Sequence, residues 1–250
     1  MRSVPMTGII AHRGYSKLFP ENTMLAFKEA AKFDITGIEL DVQLSSDGHV
    51  VICHDEMIDR TSNGTGFIKD MTLAELKSFY FYGKFQGQVE ENGDIQLPTL
   101  GEFFEWFKPL DIMVNIELKT NIFRYDGLVE KVSDLIQQYE LIDRVVLSSF
   151  QHHTMNDAKK VNPALKTGLL TMSGILNPGD YTASHGHEFY HPFFMTLESE
   201  DFDNLATNNI GINTYTVNRS EDMEKLINAK VTNIITDDVV LGLETLNASK

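Results

Sequence analysis

Short β-prone runs alternate with amphipathic helical segments along nearly the whole chain, and this alternation limits the folds available to it. The β-prone runs include GIELDVQL, IMVNIEL and RVVLSSF, and helix-like segments such as TMLAFKEAAKF and DGLVEKVSDLIQQY separate them. Strands that alternate with helices form parallel sheets with crossover helices. Over 250 residues this pattern predicts an α/β fold, a TIM-type (β/α)8 barrel. A doubly wound open sheet is the alternative, but its glycine-rich turn after the first strand is missing.

One segment, at about residues 55–98, is too long for an ordinary connection between a strand and a helix. It contains the turn-prone stretches SNGTGF and ENGDIQLP, and Thr72 with Glu75 matches a capping box that starts a helix. Long connections in compact domains are usually lids, small insertions or binding loops. We therefore expect residues 1–250 to form a single barrel domain. The segment would be a small insertion or lid after the second strand, lying over the C-terminal end of the barrel.

The charge of the chain restricts its partners. It has 36 acidic and 21 basic residues and therefore a net charge of −15. Because this negative charge repels nucleic acids and anionic lipids, we expect neither nucleic-acid binding nor stable membrane association. No stretch is as long and apolar as a membrane span or a leader, so a cytoplasmic protein is expected. The single cysteine, Cys53, excludes a disulfide framework and is expected to be a buried small hydrophobic residue. A homodimer, with the acidic insertion as one contact, stays open.

Two acidic residues occupy alternate positions in GIELDVQL, namely Glu39 and Asp41. Successive strand side chains point to opposite faces, so both carboxylates share one face. For an isolated Glu-x-Asp pair, a solvent-exposed face would be as good an explanation as a buried site. A parallel barrel strand has no solvated face, however, and two buried carboxylates repel each other. A cation between them resolves this conflict.

Another predicted strand, MVNIELKT, repeats this spacing of two residues between charged side chains, with Glu117 and Lys119. Glu117 would be the third carboxylate of the site. Three carboxylates without a thiolate favour one hard divalent cation, Mg²⁺ or Ca²⁺. The positive charge of Lys119 is tolerable beside such a cation only if an anion lies between them, and a phosphate fits.

Two histidines follow β-prone runs, His12 after TGIIA and His54 after VVIC. Catalytic groups in barrel enzymes come from the C-terminal ends of several strands. One neutral and one protonated imidazole form a general base and a general acid near neutral pH. Any one histidine is more often structural, but the pair, with Arg13 beside His12, favours catalysis. Among the other six histidines, His191 is the best further candidate, because it ends the run EFYHP.

The motifs AHRG, PENT, IELDV, HD and IELK, in this order and at these spacings, resemble the glycerophosphodiester phosphodiesterase family. INTYTVN and NIITDD resemble its last two strands, so the resemblance covers about residues 8–238. It implies a TIM-type barrel with an insertion after the second strand and hydrolysis of glycerophosphodiesters with a divalent cation. By motif, the resemblance makes His12 and His54 the acid–base pair, Glu39, Asp41 and Glu117 the metal ligands, and Arg13 and Lys119 the phosphate contacts, with Glu21 and Asn22 close to the site.

One position departs from the family pattern. The family often has tryptophan in the TVN strand, where this chain has Tyr215. A tyrosine ring can also cover the glycerol carbons, so the departure bears on substrate preference rather than on activity. Ordinary barrel packing would explain Tyr215 equally well.

The expected function is hydrolysis of a small-molecule glycerophosphodiester to glycerol 3-phosphate and an alcohol. The nucleophile is either the substrate's 2-hydroxyl, which gives a cyclic glycerol phosphate, or water. The residues decide neither this point nor which histidine is the acid. Two alternatives are a lysophospholipase D-type activity on lysophospholipids and a non-catalytic glycerophosphodiester-binding protein. A metal-dependent sugar isomerase on the same fold would have no use for Arg13 and Lys119.

Overall fold

The computed structural model describes residues 7–249, and nine strands lie within this range. The strands are β1 Gly8–His12, β2 Gly37–Leu44, β3 Val50–Ile52, β4 Met113–Leu118, β5 Val145–Ser149, β6 Lys166–Thr171, β7 Phe189–Pro192, β8 Gly211–Thr214 and β9 Asn233–Thr236. Most of the segment MRSVPMTGII, on which the expectation about a leader was based, lies outside the described residues.

Eight of these strands form the barrel within residues 7–249. Strands β1, β2 and β4 to β9 are parallel in chain order, and β1 pairs with both β2 and β9, which closes the sheet. The predicted TIM-type (β/α)8 barrel is therefore confirmed. Strand β3 is not a barrel strand but the antiparallel hairpin partner of β2. Because it runs back along β2, the residues that follow it lie beside the middle of that strand, where the Cys53 amide donates to the Asp41 carbonyl.

Helices cover the outside of the barrel, except for α2, which lies in the insertion. The helices are α1 Met24–Ala30, α2 Leu73–Leu76, α3 Leu100–Phe107, α4 Leu128–Gln138, α5 His152–Val161, α6 Pro178–Ser184, α7 Ser199–Thr207, α8 Ser220–Asn228 and α9 Val239–Ala248. The side chains of Thr23, Thr72 and Thr99 accept backbone hydrogen bonds at the starts of α1, α2 and α3, the last two as full capping boxes. Over residues 7–249, no helix is both long and apolar enough to cross a bilayer.

Strand β2 is buried at all eight positions, as its place in a covered barrel requires. Ile38 and Leu40 belong to the main hydrophobic core, so the alternate residues Glu39 and Asp41 point into the barrel. The register aligns Glu39 with His12 of β1 and Asp41 with Glu117 of β4. Four of the predicted site residues therefore lie on three adjacent strands.

Residues 55–98 contain α2 and three short 3₁₀ turns, at Ile68–Asp70, Gly83–Phe85 and Gly93–Ile95. With the β2–β3 hairpin, this segment forms a hydrophobic cluster of its own. Its buried members are Val51, Cys53, Ile58, Ile68, Leu76, Phe81 and Leu97. Cys53 is thus a buried small hydrophobic residue. The insertion has a packed core of its own, to which β3 contributes Val51, rather than being a loose loop.

Candidate active site

The carboxylates of Glu39, Asp41 and Glu117 converge inside the barrel. One oxygen of each lies within 4.8 Å of the others, and the three residues are 4%, 0% and 7% exposed. The convergence follows from the register, because Asp41 and Glu117 are direct neighbours on β2 and β4 and Glu39 lies one inward position earlier.

Two cations and an amide surround the three carboxylates. Arg13 Nε lies 3.3 Å from Asp41 Oδ2, and Lys119 Nζ donates to Glu117 Oε1 at 2.9 Å. Asn22 Nδ2 donates to Asp41 Oδ2 at 2.8 Å. Burial would raise the pKa of Asp41, but the charges of Arg13, His54 and Lys119 and the Asn22 bond hold it below its usual value. Burial raises the pKa values of Glu39 and Glu117, and Asp41 adds to both increases.

The arrangement fits a divalent cation. Asp41 Oδ1 is buried, lies 3.8 Å from Lys119 Nζ and accepts no hydrogen bond from the described part of the chain. Burying a carboxylate oxygen that accepts no hydrogen bond costs free energy unless another group, such as a cation, binds it. With three oxygen donors and no sulfur, the donor set is the kind that Mg²⁺ and Ca²⁺ prefer. Glu39, Asp41 and Glu117 are thus the residues that could hold one.

A tight turn brings Arg13 to this cluster. Arg13 and Gly14 both have positive φ angles, 55° and 81°, and a Cβ on Gly14 would lie 2.6 Å from the backbone carbon of Ala26 in α1. Only glycine fits this close approach without strain. The turn directs the Arg13 amide to Glu39 Oε2 at 3.0 Å and its guanidinium to Glu21 Oε1 at 2.7 Å.

His12 is oriented by Asp237, which follows β9. The distance from His12 Nδ1 to Asp237 Oδ1 is 2.6 Å, and His12 Nε2 faces Glu39 at 3.9 Å. Ser16 and Asn218 also donate to the Asp237 carboxylate. These bonds outweigh burial and lower the pKa of Asp237, so it stays ionised. Burial and the charge of Arg13 lower the pKa of His12.

Asp55, the next residue in the chain, contacts His54 in the way that Asp237 contacts His12. The distance from His54 Nδ1 to Asp55 Oδ1 is 2.6 Å. The backbone of this loop is held by Gln43 of β2, whose buried Nε2 donates to the carbonyls of Cys53, His54 and Asp55. Tyr125 in turn donates to Gln43 Oε1. Both histidines therefore have Nδ1 bound to a carboxylate, which leaves Nε2 for other chemistry.

A cavity of about 280 Å³ opens over these groups. One side is charged, with both histidines, Arg13, Glu39 and Glu117, and the other is apolar. The apolar side is formed by Phe150, Leu170, Met172, Tyr215 and Ile235. The Tyr215 hydroxyl donates to the Thr171 carbonyl at 2.8 Å, which fixes the ring against the cavity.

All ten residues singled out from the sequence lie in or against this site. Glu21 and Asn22 contact it through Arg13 and Asp41 rather than by lining the cavity. His191, the further candidate, lies inside the barrel instead, completely buried and bonded to Asn213.

Several residues of the site were not assigned from the sequence. Asp55 stands in the motif HD and Asp237 at the end of the last strand, positions that could have marked them as candidates. Gln43 continues the alternation of Glu39 and Asp41 along β2, which could have marked it as facing the barrel interior. Arg60, which donates to Asp55 and Glu21 from the insertion, has no comparable signal, because its role depends on loops that meet only in the fold. Asn115, two residues before Glu117, also lines the cavity, as strict alternation along β4 predicts.

Comparison with known proteins identifies the family. The profile of the glycerophosphoryl diester phosphodiesterase family matches residues 12–241. A glycerophosphodiester phosphodiesterase of Caldanaerobacter subterraneus subsp. tengcongensis is 44% identical over 93% of this chain and 94% of its own, and one of Bacillus altitudinis is 38% identical over 93% and 95%.

Solved structures agree with this result. A phosphodiesterase of Oleispira antarctica in complex with the product sn-glycerol-3-phosphate superimposes with a TM-score of 0.89, at 26% identity and 97% coverage of both chains. A glycerophosphodiester phosphodiesterase of Thermotoga maritima gives a TM-score of 0.75 at 27% identity, covering 95% and 96%. The protein therefore belongs to the glycerophosphoryl diester phosphodiesterase family and is a phosphoric diester hydrolase of the glycerophosphodiester phosphodiesterase type.

Proposed function

We propose that this enzyme hydrolyses glycerophosphodiesters to glycerol 3-phosphate and an alcohol with one divalent cation, Mg²⁺ or Ca²⁺, and with His12 and His54 as general acid and base. One observation carries the proposal. A cluster of three buried carboxylates, in which one oxygen of Asp41 accepts no hydrogen bond from the described residues, adjoins a cavity that both histidines line.

The balance of charge supports a phosphodiester as the substrate. With all three carboxylates ionised, as ligands of a cation would be, they leave one negative charge in a buried site together with Arg13 and Lys119. A divalent cation would change this to one positive charge, which a phosphodiester monoanion would neutralise. Buried charges are tolerated when they are paired. When bound, the cation supplies Lewis-acid stabilisation of the charge that develops on the phosphoryl oxygens.

Arg13 and Lys119 bind and orient the phosphate in this proposal. Both are nearly buried, and their carboxylate partners fix their positions before substrate arrives. Preorganised cations of this kind stabilise transition-state charge without reorganisation. The ring of Tyr215 and the apolar wall around it would cover the carbon atoms of the substrate and exclude water from that side.

The two histidines move the protons. Nε2 of one ring takes a proton from the attacking hydroxyl, and Nε2 of the other gives a proton to the leaving alkoxide. Asp237 and Asp55 hold the rings by Nδ1 and would stabilise the protonated form of each. The attacking hydroxyl is the 2-hydroxyl of the substrate, and loss of the alcohol gives a cyclic glycerol phosphate. Water then opens this ring by breaking the bond from phosphorus to the 2-oxygen, with the acid and base roles of the two histidines exchanged, and gives glycerol 3-phosphate. Full activity on a diester without a neighbouring hydroxyl would instead assign the attack to water.

The test is release of glycerol 3-phosphate from several glycerophosphodiesters. The purified protein is assayed as isolated, after EDTA treatment, and after Mg²⁺ or Ca²⁺ is added back separately. We expect release that EDTA abolishes and one of the two ions restores. Undiminished release after complete removal of metal would refute the metal-dependent mechanism. Binding of the diester without turnover in saturating cation would support the non-catalytic alternative.

A second substrate class has one observation in its favour. Met172, on the apolar wall, is 61% exposed, and Leu176 in the same loop is 88% exposed. An exposed apolar side chain on the cavity wall, with a second one in the same loop, suits contact with an acyl chain, as in a lysophospholipid. Assaying a lysophospholipid beside a short glycerophosphodiester, with the same cation, separates the two. A higher kcat/KM for the lysophospholipid would favour the lysophospholipase D-type activity.

A further inference from the structure

Arg60, in the insertion, forms four hydrogen bonds to two carboxylates. Its Nε and one terminal nitrogen donate to Asp55, at 2.6 and 3.1 Å, and its two terminal nitrogens donate to Glu21, both at 2.8 Å. The carboxylates belong to different loops. Glu21 is in the loop after β1, which also carries Arg13, and Asp55 is in the loop after β3, next to His54.

Each carboxylate also holds a residue of the proposed machinery. Asp55 binds His54 Nδ1, and Glu21 accepts from a terminal nitrogen of Arg13 at 2.7 Å. A continuous chain of charged contacts thus runs from His54 through Asp55, Arg60 and Glu21 to Arg13. Arg60 is its central link, and its hydrogen bonds and ion pairs go to Asp55 and Glu21, not to the histidines or to the three carboxylates of the cation site.

The geometry of this link suits arginine and no other residue. A guanidinium is planar, carries five N–H donors and can bind two carboxylates side by side. Without it, Asp55 and Glu21 would lose their shared cation, and each would be free to turn away from the group it holds. A lysine at this position would keep the charge but could not reproduce the bidentate contacts.

The insertion holds Arg60 in place. Ile58, two residues earlier, is completely buried in the cluster of the insertion. Its carbonyl accepts hydrogen bonds from the amides of Thr61 and Ser62, just after Arg60, and the Gly83 amide donates to the Thr61 carbonyl. The backbone on both sides of Arg60 is therefore anchored. Although its side chain is half exposed, it starts from a rigid support.

We propose that Arg60 is a positioning residue, and that one role of the insertion is to brace the loop carrying His54 against the loop carrying Arg13. The proposal rests on the proposed function, since it assumes that His54 and Arg13 act on the substrate. It gives the insertion a part in catalysis that differs from that of a moving lid. Outer contacts that orient catalytic groups are typically worth about 10–100-fold in activity.

The experiment compares Arg60→Gln and Arg60→Lys with the parent and with Arg124→Gln. Arg124 is an exposed arginine in the loop after β4, for which the structure of residues 7–249 shows no ion pair, so it is a matched control. We expect both Arg60 variants to lose about 10–100-fold in kcat, with KM changed much less, and Arg124→Gln to stay close to the parent. Guanidinium ion in the assay should restore part of the activity of Arg60→Gln but not that of the parent.

A spectroscopic measurement tests the brace without using activity. In ¹⁵N-histidine NMR spectra, the Nδ1 signal of His54, assigned through His54→Gln, should be sharp in the parent and broadened or shifted in Arg60→Gln. A kcat of Arg60→Gln within about twofold of the parent, or a fully active Arg60→Lys, would overturn the proposal. If Arg60→Gln does not fold, Arg60→Lys decides alone. A parent without turnover in either cation would refute the proposed function itself, which is a separate result.

Discussion

His191 should make the stability of this protein fall as the pH is lowered. Its ring fills the barrel interior beside Gly168, where a Cβ would lie only 2.4 Å from His191 Nε2. Asn233 donates to the oxygen of Asn213, and this orients the Asn213 amide to donate to Nε2 at 2.9 Å. Nε2 is therefore an acceptor, and its protonation would place two donors face to face.

The size of the effect follows from the pKa shift. Burial lowers the pKa of His191 from 6.5 to about 3, while an unfolded histidine keeps a value of about 6.5. Between these two values the unfolded chain binds a proton that the folded chain does not, so acid favours unfolding. At about pH 5 the difference corresponds to roughly 2 kcal/mol of the free energy of unfolding. The full contribution is present above about pH 6.5 and declines as the pH falls towards 3.

The assay is urea unfolding of the parent and of His191→Gln at about pH 7.5 and about pH 5. Glutamine keeps an acceptor for Asn213 but does not titrate. Its own effect on packing is common to both pH values and cancels in the comparison. We expect the parent to lose about 2 kcal/mol more than the variant on acidification. His153→Gln, at an exposed histidine, controls for the removal of a surface imidazole. Equal losses in the parent and His191→Gln would refute the reasoning.

Three further predictions concern the proposed active site. His12→Gln and His54→Gln should each lower kcat by about 10²–10⁴-fold, while Mg²⁺ or Ca²⁺ should still raise the melting temperature of each variant. The pH profile of kcat/KM for the parent should be bell-shaped. A profile without either limb would contradict the paired role. Mg²⁺ or Ca²⁺ at about 100 times its Kd should raise the free energy of unfolding of the parent by about 2.7 kcal/mol and so raise its melting temperature. Asp41→Asn should abolish this rise in melting temperature. An undiminished rise in the variant would place the cation elsewhere. Asp237→Asn should lower kcat on the order of 10²-fold, because an amide can donate to Nδ1 and reverse the tautomer of His12; a parent-like kcat would show that Asp237 does not orient the ring.

Strand periodicity explains why the centre of the site could be predicted. Glu39 and Asp41 alternate with the core residues Ile38 and Leu40, so their common inward direction is a property of any extended chain. The same rule applies to Glu117 on β4. Once a parallel barrel is assumed, three inward carboxylates require a shared solution to their repulsion, and their convergence follows.

The path to His54 could not be predicted in the same way. The run HVVICHD shows a short strand, but the residues do not reveal that it pairs antiparallel with β2 and lies outside the barrel. The histidine reaches the cavity because the hairpin folds back along β2. Its orientation then depends on Gln43 and Asp55, and on Arg60 in a segment whose sequence shows mainly turns.

By itself, the sequence determined the class of fold and which side chains face the barrel interior, because both depend on periodicities of two and of about 3.6 residues along the chain. The tertiary structure alone decided which distant groups became partners. Asp237 binds His12 across 225 residues of sequence, and Arg60 binds Glu21 across 39. Such pairs depend on the closure of the barrel by β1 and β9 and on the docking of the insertion. The pattern along the chain predicts that a barrel closes, but the packing of the whole molecule sets which side chains meet at the closure and at the docked insertion.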